Sequence, residues 1–94
     1  MFIISLTYKK STEEADKHMA AHMEWLKAHY ADGTFVASGR KVPRTGGVIL
    51  ARGERAAIEA LCAKDPFVIH EIADIDIAEV NFTTTAEGFE GLKG

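Results

Sequence analysis

The stretch His18–Gly33, HMAAHMEWLKAHYADG, constrains this chain more than any other, because it repeats apolar residues at helical spacing and then stops. Met19, Met23, Leu26 and Tyr30 fall at i, i+4, i+7 and i+11, the seam of a helix lying on a core. His18, His22, Trp25 and His29 repeat those offsets one residue earlier, so they form a second stripe about 100° round the helix. Three of the four histidines in the chain lie on that stripe, at the expected border between core and solvent. An imidazole there is partly desolvated and still open to a ligand, so chemistry is expected here first. Ser11 or Thr12 is the expected N-cap, and Glu13, Glu14 and Asp16 put negative charge in the first turn. Asp32–Gly33 supplies the left-handed stop after Ala31.

Such a helix needs a surface to lie on, and the segments around it read as strands. Phe2–Tyr8 is β-branched and aromatic; 34–39, 47–51 and 72–83 are further strand candidates. Arg40–Gly47 is a hairpin connection rich in turn residues and positive charge. Residues 54–64 form a second helix with Ala57, Ile58, Leu61 and Cys62 on one face. Asp65-Pro66 then reads as an N-cap with proline at N1, opening a short extra helical turn. In the last strand the apolar phase flips between Ile75/Ile77 and Ala78/Val80/Phe82, which predicts a bulge or a change of partner midway. The order is βαββαβ, an α+β, ferredoxin-like arrangement with a four-stranded antiparallel sheet over residues 1–84, followed by a flexible tail, 85–94. Two helices cover only one face of such a sheet. The first and third strands are apolar in both phases, Ile3 against Ile4 and Ile49 against Val48 and Leu50, so a two-fold homodimer packing sheet on sheet is expected.

Composition narrows the function classes. Ninety-four residues make one small core, and 47% hydrophobic with 27% charged residues is ordinary for a globular domain. The net charge is −3 and the basic residues are scattered, so no electrostatic footprint for nucleic acid exists. Cys62 is the only cysteine, which excludes an intramolecular disulfide and a cysteine-based zinc site and fits a reducing cytoplasm. The apolar start, Met1–Leu6, has no basic segment before it and is too short for a signal peptide or a bilayer span. A cytoplasmic protein with no membrane partner is expected.

Among candidate functional residues, His22 stands first, because an imidazole with an ordinary pKa near ~6.5 takes and returns a proton near neutrality. Against this stands an inert border histidine. Asp65 has an alternative reading too, since capping the turn at Pro66 explains it fully; one carboxylate can also do both jobs, one oxygen on the backbone and the other on an imidazole. His18 and His22 are a metal-capable i, i+4 pair, but the central glutamate of a zinc-helix motif is missing, and no metal is expected. Arg40 and Arg44 flank the hairpin connection, either as a solvated turn or as an anion clamp. Trp25 reads as core or dimer packing and Cys62 as an inert buried thiol.

With these pieces placed, the chain resembles the YciI-like proteins, the YCII-related domain family of the dimeric α+β barrel group. The matching residues are Met1-Phe-Ile-Ile-Ser-Leu6, His22, Asp32-Gly33, Ser38-Gly39-Arg40, Pro43-Arg44-Thr-Gly-Gly47-Val-Ile-Leu-Ala51 and Asp65-Pro66-Phe67. Many relatives have Ser/Ala-Gly-Pro where this chain has Ser38-Gly39-Arg40, which places a guanidinium near the expected pocket. The resemblance implies a dimeric α+β barrel and an acid–base site pairing the helix histidine with an aspartate, here His22 and Asp65. Ser38, Gly39, Arg40, Arg44 and Phe67 are the expected contacts to a small anionic or aromatic ligand. Two function classes follow. One is a small cofactor-independent enzyme of lyase or isomerase type; the other is a non-catalytic dimeric module that binds a small ligand or acts as an accessory domain. A partly apolar pocket holding His22 within ~3.2 Å of a carboxylate favours the first. A pocket plugged by Trp25 or Phe67, with His22 bonded only to backbone, favours the second.

Overall fold

The first strand, β1 (Phe2–Tyr8), lies inside the sheet, where neighbours on both sides satisfy its backbone and its apolar residues are covered. The computed structural model describes residues 1–94. β3 (Gly46–Ala51) pairs with one side of β1 and β4 (Ala73–Glu79) with the other, while β2 (Phe35–Arg40) pairs with β3. The sheet order is β2-β3-β1-β4 and every pairing is antiparallel. Ile4 faces both Ile49 and Ile77, which fixes the register of the centre.

The helices cover one face. α1 (Thr12–Lys17) starts at Ser11, whose hydroxyl accepts from the Glu14 N–H, and α2 (Met19–Ala31) follows. α3 (Arg55–Cys62) and the short α4 (Pro66–Ile69) lead into β4. Beneath them Phe2, Ile4, Leu6, Ile49 and Ala51 meet Ala15, Leu26, Ile58, Cys62 and Phe67 in a continuous core. Each large side chain fully buried there contributes about 1.5–3 kcal/mol. Gly46 opens β3 because a Cβ there would stand 1.8 Å from the Leu6 carbonyl oxygen, at φ +154°. After β4, Val80 N–H bonds the Met1 carbonyl, and a 3-10 turn at Glu90–Leu92 lies where Arg52 donates to the Gly91 carbonyl.

Four expectations are corrected. The sheet is not closed into a barrel: β2 and β4 are its two edges and do not pair, and four strands are too few to curl shut. The long helix is broken at His18 (φ −111°, ψ 6°), where the His18 N–H bonds Ala15 and the ladder restarts from the His18 carbonyl to His22. The bulge lies in β2, between Phe35 and Ala37, whereas β4 pairs regularly and ends at Glu79, before the flipped phase matters. α2 is also rolled from its expected seam: His22 and Leu26 are its buried residues, while Met23 is 43% and Tyr30 41% exposed. No helix is long and apolar enough to cross a membrane.

Candidate active site

The roll of α2 turns the histidine stripe inward. It brings His22, 9% exposed, against the turn after α3. There Asp65 is the N-cap of α4, in extended conformation before Pro66, and its Oδ1 accepts the Phe67 N–H at 3.0 Å. The same Oδ1 stands 2.8 Å from His22 Nδ1. Capping and pairing therefore share one oxygen instead of dividing between two, and Oδ2 is buried with no partner in the protein. Asp65 is wholly buried, and a buried carboxylate gains from a charge-assisted partner.

A carboxylate only accepts hydrogen bonds, so Nδ1 carries the proton and donates it to Asp65. Nε2 is then the basic nitrogen, and it makes no hydrogen bond to the protein. The ring is clamped as well as paired. Phe67 stacks on it at 4.0 Å and 4° from parallel, and Trp25 sits tilted at 5.7 Å, itself held by donation to the Leu61 carbonyl at 3.1 Å. Behind the pair, burial pushes the Cys62 thiol up to about 12, with the Asp65 charge adding to it, so that thiol stays neutral.

His22 faces a cavity of about 220 Å³ between α2 and the sheet. Its apolar walls are Leu6 and Ile49 below and Met19, Met23 and Leu26 above. A void of roughly 150 Å³ already takes a benzene ring, so the volume suits one ring with substituents. The polar wall is β2, where Ser38 and Arg40 face the same side two residues apart, with Gly39 between them.

Of the residues predicted from sequence, His22, Asp65 and Phe67 stand in one cluster, and Ser38, Gly39 and Arg40 lie on the cavity wall. Arg44 is turned to Asp16, with Nη2 2.6 Å from Oδ1 and its guanidinium 5.7 Å over the Tyr8 ring. That bond holds the Asp16 carboxyl below its ordinary value. Among the cavity residues not expected from sequence are Tyr8, Met19 and Met23; the two methionines were legible as a stripe but read as core. His18 stacks on His70 at 4.1 Å and 19°, and no group of three histidine, cysteine or acidic side chains converges to hold a metal ion.

A model of the YCII-related domain matches residues 1–81 of the chain. No curated protein sequence matches it. Among solved structures, a similar fold is that of 5-chloro-2-hydroxyhydroquinone dehydrochlorinase from Burkholderia phenoliruptrix, in complex with 2,5-dihydroxybenzoquinone. It superposes with a TM-score of 0.74 over 85% of this chain and 92% of that one, at 14% identity. At that identity the likeness is one of fold.

Proposed function

The chain belongs to the YCII-related domain family, and on that premise we propose that it is a small enzyme moving a proton at carbon in a monocyclic substrate, in a lyase or isomerase step. One observation carries this reading: a wholly buried carboxylate bonds Nδ1 of a histidine at 2.8 Å, and that histidine borders a cavity of ring size. His22 Nε2 takes the proton from a substrate C–H, and Asp65 supports the imidazolium that forms. The electron pair left on carbon moves towards a conjugated oxygen. The proton then returns to a second carbon in an isomerisation, or a leaving group departs with the electron pair in an elimination. Transfer of this kind needs neither a redox cofactor nor a metal. Arg40, on the cavity wall, offers a cation to an anionic substrate, with Ser38, Gly39 and Phe67 framing the ring.

The fold relative supports the choice of ligand class. Its structure holds a single hydroxylated ring, and its name describes loss of hydrogen chloride. A plugged cavity with a histidine bonded only to backbone would favour the non-catalytic module. Phe67 instead stacks beside the imidazole, Trp25 lies outside the cavity wall, and His22 bonds a carboxylate. Ile3, Val48 and Leu50, half-buried on the sheet face without helices, support self-association into a homodimer, which light scattering at micromolar concentration tests.

The enzyme reading is tested without knowing the product. Monocyclic ketones, hydroxyquinones and cyclic keto acids are incubated with the protein in D2O, and deuterium uptake at carbon is followed by NMR. The expected result is accelerated exchange in at least one compound, lost in His22→Gln. Exchange that survives in His22→Gln, or none across the panel, overturns it.

A further inference from the structure

We propose that Tyr30 is a positioning residue that turns the Ser38 hydroxyl into a hydrogen-bond donor, so that Ser38 and Arg40 together bind the substrate oxygen on which negative charge develops. The inference rests on the proton-transfer reading of His22 and supplies the half of the site that reading leaves open.

Removing a proton from carbon leaves an electron pair that must settle on oxygen, and donors aimed at that oxygen lower the barrier. β2 is where the cavity offers them. Ser38 sits opposite Ile49 and Arg40 opposite Gly47, so both side chains leave the strand towards α2. Gly47 has no side chain to fill the space between Arg40 and the cavity floor. Arg40 is not spent on the nearby acid, because Asp16, whose carboxyl feels both arginines, is bonded to Arg44.

Ser38 has one hydroxyl proton, and the direction of its bond to Tyr30 decides where that proton goes. The two oxygens are 2.7 Å apart, and either could donate. A phenol is a stronger acid than an aliphatic alcohol, so donation from Tyr30 to Ser38 is the stronger arrangement. It leaves the Ser38 proton free for the cavity. The reverse arrangement would present only lone pairs to an oxyanion beside Arg40. Tyr30 itself is not on the cavity wall, so it acts through Ser38. It is 41% exposed and meets Phe35 edge-on at 6.0 Å, contacts that Tyr30→Phe retains.

Tyr30→Phe, Ser38→Ala, Ser38→Thr and the Tyr30→Phe/Ser38→Ala double variant are titrated with 2,5-dihydroxybenzoquinone by absorbance. Ser38→Ala should weaken binding about tenfold, the worth of one hydrogen bond to a charged oxygen, and Tyr30→Phe by a smaller factor, because the freed hydroxyl still donates in some of its rotations. The double variant should be no weaker than Ser38→Ala alone, because Tyr30 has no other route to the ligand. Ser38→Thr, which keeps the hydroxyl, should bind like the wild type. Unchanged binding in Tyr30→Phe, losses that multiply in the double variant, or no wild-type binding at millimolar concentration overturns the inference. Deuterium exchange separates the two readings. Exchange that depends on His22 while Tyr30→Phe binds normally removes only the role of Tyr30. Coupled losses at Tyr30 and Ser38 with no exchange in the wild type sustain the donor pair and remove the proton transfer.

Discussion

The ring of Phe67 lies flat on the imidazole of His22, 4.0 Å away and 4° from parallel. Its own N–H is the one Asp65 caps, so a single short turn delivers both the carboxylate and the plane that holds the histidine. Phe67→Leu keeps apolar volume and loses the flat face. It should cost about 1–2 kcal/mol in urea denaturation. Exchange activity should fall further than ligand affinity, because the imidazole is freed to turn about its bond to Asp65. Equal losses in rate and affinity would reduce the stack to packing.

Asp65→Asn tests the pair directly. Asparagine caps a helix as well as aspartate does, but it cannot support an imidazolium, and it puts an amide N–H2 where Oδ2 has no partner. The expected outcome is a stability loss of about 1–3 kcal/mol. The exchange rate should fall by up to roughly 10⁴-fold, as when the histidine of a catalytic triad loses its carboxylate. A folded variant with near-normal exchange would leave Asp65 a cap alone.

Arg44 and Asp16 tie the β2–β3 connection to α1. The Asp16 carboxyl is held below its ordinary 3.8, chiefly by the Arg44 hydrogen bond. Its contribution to stability is therefore complete above that value and disappears as pH falls through the lowered one. Wild type should exceed Arg44→Gln in stability at pH 6 by a small, salt-sensitive margin that shrinks as pH falls below 3.8. A margin that persists in acid assigns the effect to the guanidinium over Tyr8.

Cys62 should resist thiol reagents in the native protein, since it is buried and its thiol titrates at about 12. Labelling should speed up with urea as the unfolded fraction grows. The folded thiol ionises above its ordinary 9.0, so stability should decline between that pH and about 12, and Cys62→Ala should decline less. Fast labelling without denaturant would show that α3 opens locally.

The element order was legible because its signals are local: β-branched runs, Asp32–Gly33, and Asp65–Pro66 as a cap. The His22–Asp65 pair was legible only through the family resemblance, since spacing alone cannot join residues 43 apart. Periodicity marked Met19, Met23 and Leu26 as one stripe, but an apolar stripe reads the same over a packed core and over an empty cleft. The break at His18 has no glycine or proline to announce it. The bulge in β2 answers to pairing with β3, which no single strand reveals. The barrel expectation likewise concerned how strand edges meet, and the edges of β2 and β4 stay apart.

The first strand made is one of the two inner strands of the sheet, and this orders events during synthesis. A chain leaving the ribosome can close the β2–β3 hairpin early, since its strands are neighbours in sequence, and dock β1 onto it. The other edge of β1 must wait for β4. α4 is moored through that same late piece: Ile72 N–H bonds the Phe67 carbonyl, and Lys9 N–H at the end of β1 bonds the Ile72 carbonyl. A chain that stops short of Ile72 thus lacks both bonds that moor α4, and with them the fixed position of the carboxylate beside His22.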